Sequence, residues 1–178
     1  MDVLITQATL MQKAAFLQML DDYDAHEPAN GRYYGAARVD FAAYVQRLHD
    51  DERGLVGIVP CSHRWLVNGE GTLAGVVRVR HRLDSEFLAA EIGHIGYDVP
   101  PAQRRRGFGV AALQAGLTHA RELGLAHVVL YADTDNPASW RTIERCGGIL
   151  DEERHSPHFD CLVRRYLIAI APFARSEN

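Results

Sequence analysis

Three consecutive arginines, Arg104, Arg105 and Arg106, run into Gly107-Phe108-Gly109, where a helical apolar pattern begins. The chemistry open to such a turn is anion binding. The first N–H groups of a helix have no intrahelical acceptor, and the helix dipole leaves partial positive charge around them. Glycines at 107 and 109 let a phosphate approach those groups, and guanidinium side chains add charge-assisted hydrogen bonds. A solvated basic turn has the same composition, so the motif alone leaves both readings open. "GFGVAA" also fits Gly-x-Gly-x-x-Gly/Ala, with Asp133 ending the next strand where a ribose-binding acid would sit. Against a dinucleotide fold, its glycines follow the strand directly, whereas "PPAQRRR" intervenes here. A Walker A loop is excluded, because no Gly-Lys-[Ser/Thr] follows.

The chain around this turn is that of an ordinary globular protein. Its 178 residues suit one domain, read as 1–178, with 47% hydrophobic and 24% charged residues. Lys plus Arg is 19 against 23 for Asp plus Glu, a net charge of -4, which argues against a nucleic-acid partner. Cys61, Cys146 and Cys161 are odd in number and contain no Cys-x-x-Cys pair, so neither a disulfide framework nor a metal site is expected. No apolar run approaches the ~18 residues of a membrane span. "MDVLITQATLMQKAAFLQML" has no basic region before an apolar run, so no signal peptide is expected. The expectation is a cytoplasmic protein with no membrane partner.

The elements that must position the turn can be read from periodicity. "VLIT" (Val3 to Thr6) is an opening strand, and Leu10, Ala14, Leu17 and Leu20 give a helix over Ala8 to Tyr23. "DDYDAHEPANGRYYG" breaks that pattern at Pro28 and Gly31. A second helix fits "VDFAAYVQRLHDDE", capped by Asp40. "HRWLVNGEGTLAGVVRVRHRL" reads as a hairpin turning at Asn68-Gly69, and "EIGHIGYDV" (Glu91 to Val99) as a third strand. From Gly107 to Leu123, Val110, Leu113, Leu117 and Ala120 form an amphipathic stripe ended by Gly124. "HVVLYAD" is a buried strand, and "NPASWRTIERCGG" a helix with Asn136 as cap and Pro137 in its first turn. Strands at 149–154 and 161–170 complete an α/β (α+β) chain, with a mixed, mostly antiparallel sheet of about seven strands and about four helices.

"VPPAQRRRGFG" resembles the acyl-CoA-binding motif of the GNAT superfamily of N-acetyltransferases. Val99, Pro101, Arg104, Gly107 and Gly109 stand at its Val, Pro, Arg/Gln, Gly and Gly/Ala positions. The resemblance continues through a helix, an apolar strand and the Asn-led "DNPASWRTIERCGG", over roughly residues 65–170. "VPCSHRWLV", "VRHRL" and "GHIGYDV" further resemble a bacterial branch of predicted acetyltransferases. The resemblance implies a GNAT-like fold with acetyl-CoA as cosubstrate and no metal. It also implies a small-molecule or peptide amine acceptor, and it leaves a homodimer open. It places the diphosphate on the turn from Arg104 through Arg105, Arg106, Gly107, Phe108 and Gly109 to Val110. The pantetheine arm would pair with backbone near Tyr97, Asp98 and Val99, with Asn136 and Ser139 adding contacts.

Acetyl transfer needs a deprotonated amine. An alkylammonium with pKa of about 10.4 leaves about one molecule in a thousand nucleophilic at neutral pH. Where many GNATs carry a strand Glu this chain has His94, a credible base, and strict alternation would turn His94 and Asp98 toward one cleft. A core histidine satisfied by backbone is the competing reading. Glu91 is the second candidate base, with a solvated strand end as its alternative. The family's usual acid, a Tyr seven residues after the Asn, is Ile143 here, so water or the low pKa of a thiol must serve the leaving group. A non-catalytic acyl-CoA binder therefore stays in view. The acidic "DDYDAHE" could attract a cationic acceptor, and "RVRHR" an anionic one, although solvated faces explain both.

Overall fold

The computed structural model describes residues 2–57 and 59–171, so the reading of 1–178 as one domain extends past the described residues. Strands β1 (Val3–Thr6), β2 (Cys61–Asn68), β3 (Leu73–Arg80) and β4 (Ile95–Asp98) form one antiparallel sheet in the order β1-β2-β3-β4. Strands β5 (His127–Asp133), β6 (Ile149–Ser156) and β7 (Cys161–Ala169) form a second, ordered β5-β7-β6. Among the described residues there are therefore seven strands, split into two sheets that touch where Gly93 bridges Leu130. Four helices of nine residues or more accompany them among the described residues: α1 (Lys13–His26), α2 (Phe41–Glu52), α3 (Phe108–Glu122) and α4 (Pro137–Arg145).

Local chemistry explains the element ends. Asp40 Oδ1 accepts from the Ala43 N–H at 3.0 Å and caps α2. Asn68 Oδ1 accepts from the N–H groups of Glu70 and Thr72, both at 3.0 Å, and closes the β2–β3 turn. The segment around Pro28 and Gly31 is not irregular but three short helical turns, Pro28–Gly31, Arg32–Tyr34 and Ala36–Val39.

Alternation along β3 gives the four-stranded sheet two dry faces. Trp65, Leu73 and Val76 pack against Phe16, Leu20, Tyr23 and Phe41 of the α1–α2 layer. Leu66, Val77, Val79 and Ile95 pack against Ala112, Leu113 and Ala120 of α3. Phe16 and Trp65 are 0% and 1% exposed with ring centroids 4.7 Å apart, so each contributes about 1.5–3 kcal/mol through burial. The fully buried stripe of α3 is Phe108, Ala112, Leu113, Gly116 and Ala120, while Val110 and Leu117 are only partly covered.

The expected strand over Glu91 to Val99 exists only in its second half. Leu88–Ile92 is a π-helical turn, and Gly93 at φ +76° redirects the chain before β4. A Cβ on Gly93 would stand 2.5 Å from the Val129 carbonyl oxygen, so the approach of β5 also requires glycine. Strand alternation therefore begins only at Ile95, and Glu91 and His94 both lie outside the ladder.

Candidate active site

The arginine-glycine turn forms one wall of a groove of about 380 Å3 between β4, the mouth of α3 and the mouth of α4. Arg104 is the last extended residue after a short 3-10 turn, Arg105 takes φ +62°, and Gly107 takes φ +87° as N-cap of α3. The first hydrogen bond of that helix runs from Ala111 N–H to the Gly107 carbonyl at 3.1 Å. The N–H groups just before Ala111 therefore have no helical acceptor, as an anion cradle requires. The opposite wall comes from Asn136 and Ser139 at the start of α4, where Asn136 Oδ1 accepts from Ser139 N–H at 3.1 Å. Strand β4 pairs with β3 alone, so its other edge faces the groove through Tyr97, Asp98 and Val99.

Of the residues expected at the cofactor, Tyr97, Asp98, Val99, Arg104, Arg105, Gly107, Phe108, Gly109, Val110, Asn136 and Ser139 all line this groove. Arg106 does not. Its guanidinium sits 5.3 Å from the Phe108 ring centre and donates to Gln103 Oε1 at 2.7 Å. Arg104 lines the groove with its charge already engaged, since Nη1 and Nη2 donate to both Glu27 oxygens at 2.5 and 2.7 Å. That hydrogen bonding holds the Glu27 carboxyl below its usual range. Arg105 alone of the three carries no ion pair or hydrogen bond among the described residues. The wall also includes Tyr23, Asn30 and Thr142, which sequence reasoning missed. Thr142 was findable, being one helical turn beyond Ser139.

His94 takes up a different task from the one expected. It is 7% exposed, and its Nδ1 accepts from the Val129 N–H at 3.0 Å while its backbone N–H donates to the Val129 carbonyl at 2.8 Å. An Nδ1 acceptor fixes the neutral tautomer with the proton on Nε2, so neither ring nitrogen offers a free lone pair. Burial, then the charges of His127 and Arg80, lower its pKa to about 4. A ring so held is a poor direct base. Glu91 is bound at β6 instead, accepting from Ser156 Oγ at 2.5 Å and Arg154 at 3.1 Å, which lowers its pKa. The two candidate bases thus engage β5 and β6 respectively.

Asp98 ends up facing the α1–α2 layer. Its Oδ2 accepts from Tyr34 O–H at 2.5 Å and from Arg78 Nη2 at 2.8 Å, while Arg78 Nη1 donates to Tyr34 Oη at 3.0 Å. Both bonds end on Oδ2, so Oδ1 remains for another proton. Burial raises the Tyr34 pKa well above its ordinary value, which keeps that hydroxyl a donor. Ile143, where the family's Tyr would stand, is 1% exposed in the core. The acidic "DDYDAHE" is largely engaged internally: Asp21 and Asp24 pair with Arg38, Glu27 with Arg104, and Asp22 accepts from Ala102 N–H at 2.8 Å.

One grouping of metal-ligand type occurs among the described residues. Asp51, Cys61 and His63 bring their ligand atoms within 4.8 Å of one another. His63 Nε2 is engaged with Asp51 Oδ2 at 2.8 Å, and burial pushes the Cys61 thiol up to about 11, which opposes a thiolate ligand at neutral pH. The fold brought these together from α2 and the first residues of β2, a proximity no local spacing announces.

The groove and the forked sheets can be set beside known structures. The chain superposes on the microcin C7 self-immunity acetyltransferase MccE, in complex with acetyl-CoA and AMP, with TM-score 0.72 at 14% identity, covering 95% of this chain and 93% of that one. It superposes on the ribosomal L7/L12 α-N-protein acetyltransferase RimL, in complex with coenzyme A, with TM-score 0.71 at 17% identity, covering 94% of each. The fold is thus the one that these two structures share. A sequence profile of the acetyltransferase (GNAT) family matches residues 17–148, and the chain belongs to that family. Among curated proteins it is 36% identical to the mycothiol acetyltransferase of Thermobispora bispora over 84 residues, 47% of this chain and 28% of that protein. The match thus spans under a third of that relative's length. No helix among the described residues is long and apolar enough to cross a membrane.

Proposed function

We propose that this protein transfers an acetyl group from acetyl-CoA to a primary amine of a small molecule or peptide by direct attack. The observation that carries the reading is the groove. One open strand edge at Tyr97, Asp98 and Val99 meets the unsatisfied N–H groups at the mouth of α3 and the Asn136 cap of α4. Those features suit a pantetheine arm along the edge and a diphosphate on the turn, with Arg105 as its side-chain cation. In the transfer the amine nitrogen bonds to the thioester carbonyl carbon, the C–S bond breaks, and the amine gives up a proton. We assign that proton to Asp98 Oδ1, directly or through water, in place of His94. The thiolate, with a solution pKa of about 8.5, leaves without a dedicated acid.

Thermal melting tests the cofactor. Acetyl-CoA at about 100 times its dissociation constant adds about 2.7 kcal/mol, several degrees for a chain of this size, and NAD adds nothing. Thiol release with a panel of amines tests turnover. A melting shift without release would favour a non-catalytic acyl-CoA binder, the reading that buried Ile143 supports. No shift at all would remove both.

A further inference from the structure

On the α2 face of the four-stranded sheet lies a cavity of about 250 Å3 whose polar wall is Arg47, Asp51, His63 and Arg78, with tyrosines and Trp65 as its flat walls. It borders the groove through Asp98, which lines the groove and accepts from Arg78 and Tyr34 of the cavity wall. Three of these four polar groups are engaged with neighbours: Asp51 and His63 with each other at 2.8 Å, and Arg78 with Asp98 at 2.8 Å. Arg47 has no ion pair among the described residues. The Tyr33 ring already holds Arg78 at 5.0 Å, so that aromatic wall carries the protein's own cation. The surplus charge of the cavity is therefore positive, and its volume is at the small end for ligand pockets, which run to about 300–1,000 Å3.

We infer that this cavity is the acceptor subsite and that it takes a small amine carrying a carboxylate, held at Arg47 with its amine end turned toward Asp98. The inference rests on the acetyltransferase reading above, and its test can fail separately. The probes are α-, β- and γ-amino carboxylates, their carboxamides, aliphatic diamines and a neutral peptide amine. Thiol release is measured with each. A hydrogen-bonded charge pair discriminates by about 10- to 100-fold. The carboxylates should exceed their carboxamides in kcat/KM by at least about the lower figure, and Arg47→Gln should bring the ratio close to one. Arg47 is exposed, and the variant's melting temperature reports that it folds. Carboxamides, diamines or the peptide turned over as well as the carboxylates would overturn the inference, as would a preference that survives Arg47→Gln. Calorimetric titration of the cofactor-free protein separates the two readings. Carboxylate binding lost in Arg47→Gln, without an acetyl-CoA melting shift, would sustain the subsite and sink the cosubstrate. A melting shift without carboxylate preference would do the reverse.

Discussion

Replacing His94 by Asn should flatten the acid dependence of stability. In the folded protein the imidazole binds its proton with a pKa of about 4, against 6.5 for an unperturbed histidine. Between those values the unfolded chain carries a proton that the native chain does not, so native stability falls as pH drops from about 6.5 to about 4. A gap of about 2.5 pH units at about 1.36 kcal/mol each gives about 3 kcal/mol, a large part of a typical total of about 5–15 kcal/mol. Asn keeps an acceptor, Oδ1, in reach of the Val129 N–H and cannot titrate. Urea unfolding of both proteins from about pH 7 to about pH 4 yields a difference in which the other carboxylates cancel. Wild type should lose about 3 kcal/mol relative to the variant across that range. A difference that stays constant would refute the argument, because it would mean that His94 takes up its proton equally well folded and unfolded.

Gly93→Ala should destabilise the protein by ~3 kcal/mol, since the new Cβ meets the Val129 carbonyl and φ is +76°; unfolding with wild-type midpoint would contradict this. Arg105→Gln should weaken acetyl-CoA by about 10-fold, and Arg104→Gln by much less, because Glu27 already engages Arg104. Titration calorimetry reads both, and the opposite ranking would reassign the phosphate contact. Asp98→Asn should lower kcat by about 10²-fold or more while the acetyl-CoA melting shift remains; an unchanged kcat would return the proton to solvent.

The groove we propose for the coenzyme was legible because its parts are local. A helix mouth, two glycines and an Asn cap announce themselves within a few residues, and the apolar periods before and after them fix strand, helix, strand and helix in order. What was not legible depends on partners far along the chain. Arg104 looks like a phosphate ligand until Glu27, brought over by the segment after α1, engages both its nitrogens. His94 looks like a base until β5 arrives with Val129, whose amide fixes the tautomer. The alternation argument failed because the strand starts only at Ile95: Gly93 at positive φ turns the chain, and His94 lies in the bend before the ladder rather than in it. Arg78, read as one of several strand arginines, gains its meaning only when Asp98 and Tyr34 close around it.

The pairing at residue 94 has one more consequence. Two sheets that part company ordinarily strand peptide amides at the point of divergence, and an orphaned donor there favours zipping the gap shut. Here an imidazole nitrogen substitutes for the missing carbonyl opposite Val129. The sheets thereby diverge beside Val129 without orphaning that amide, and the gap costs no unpaired donor there.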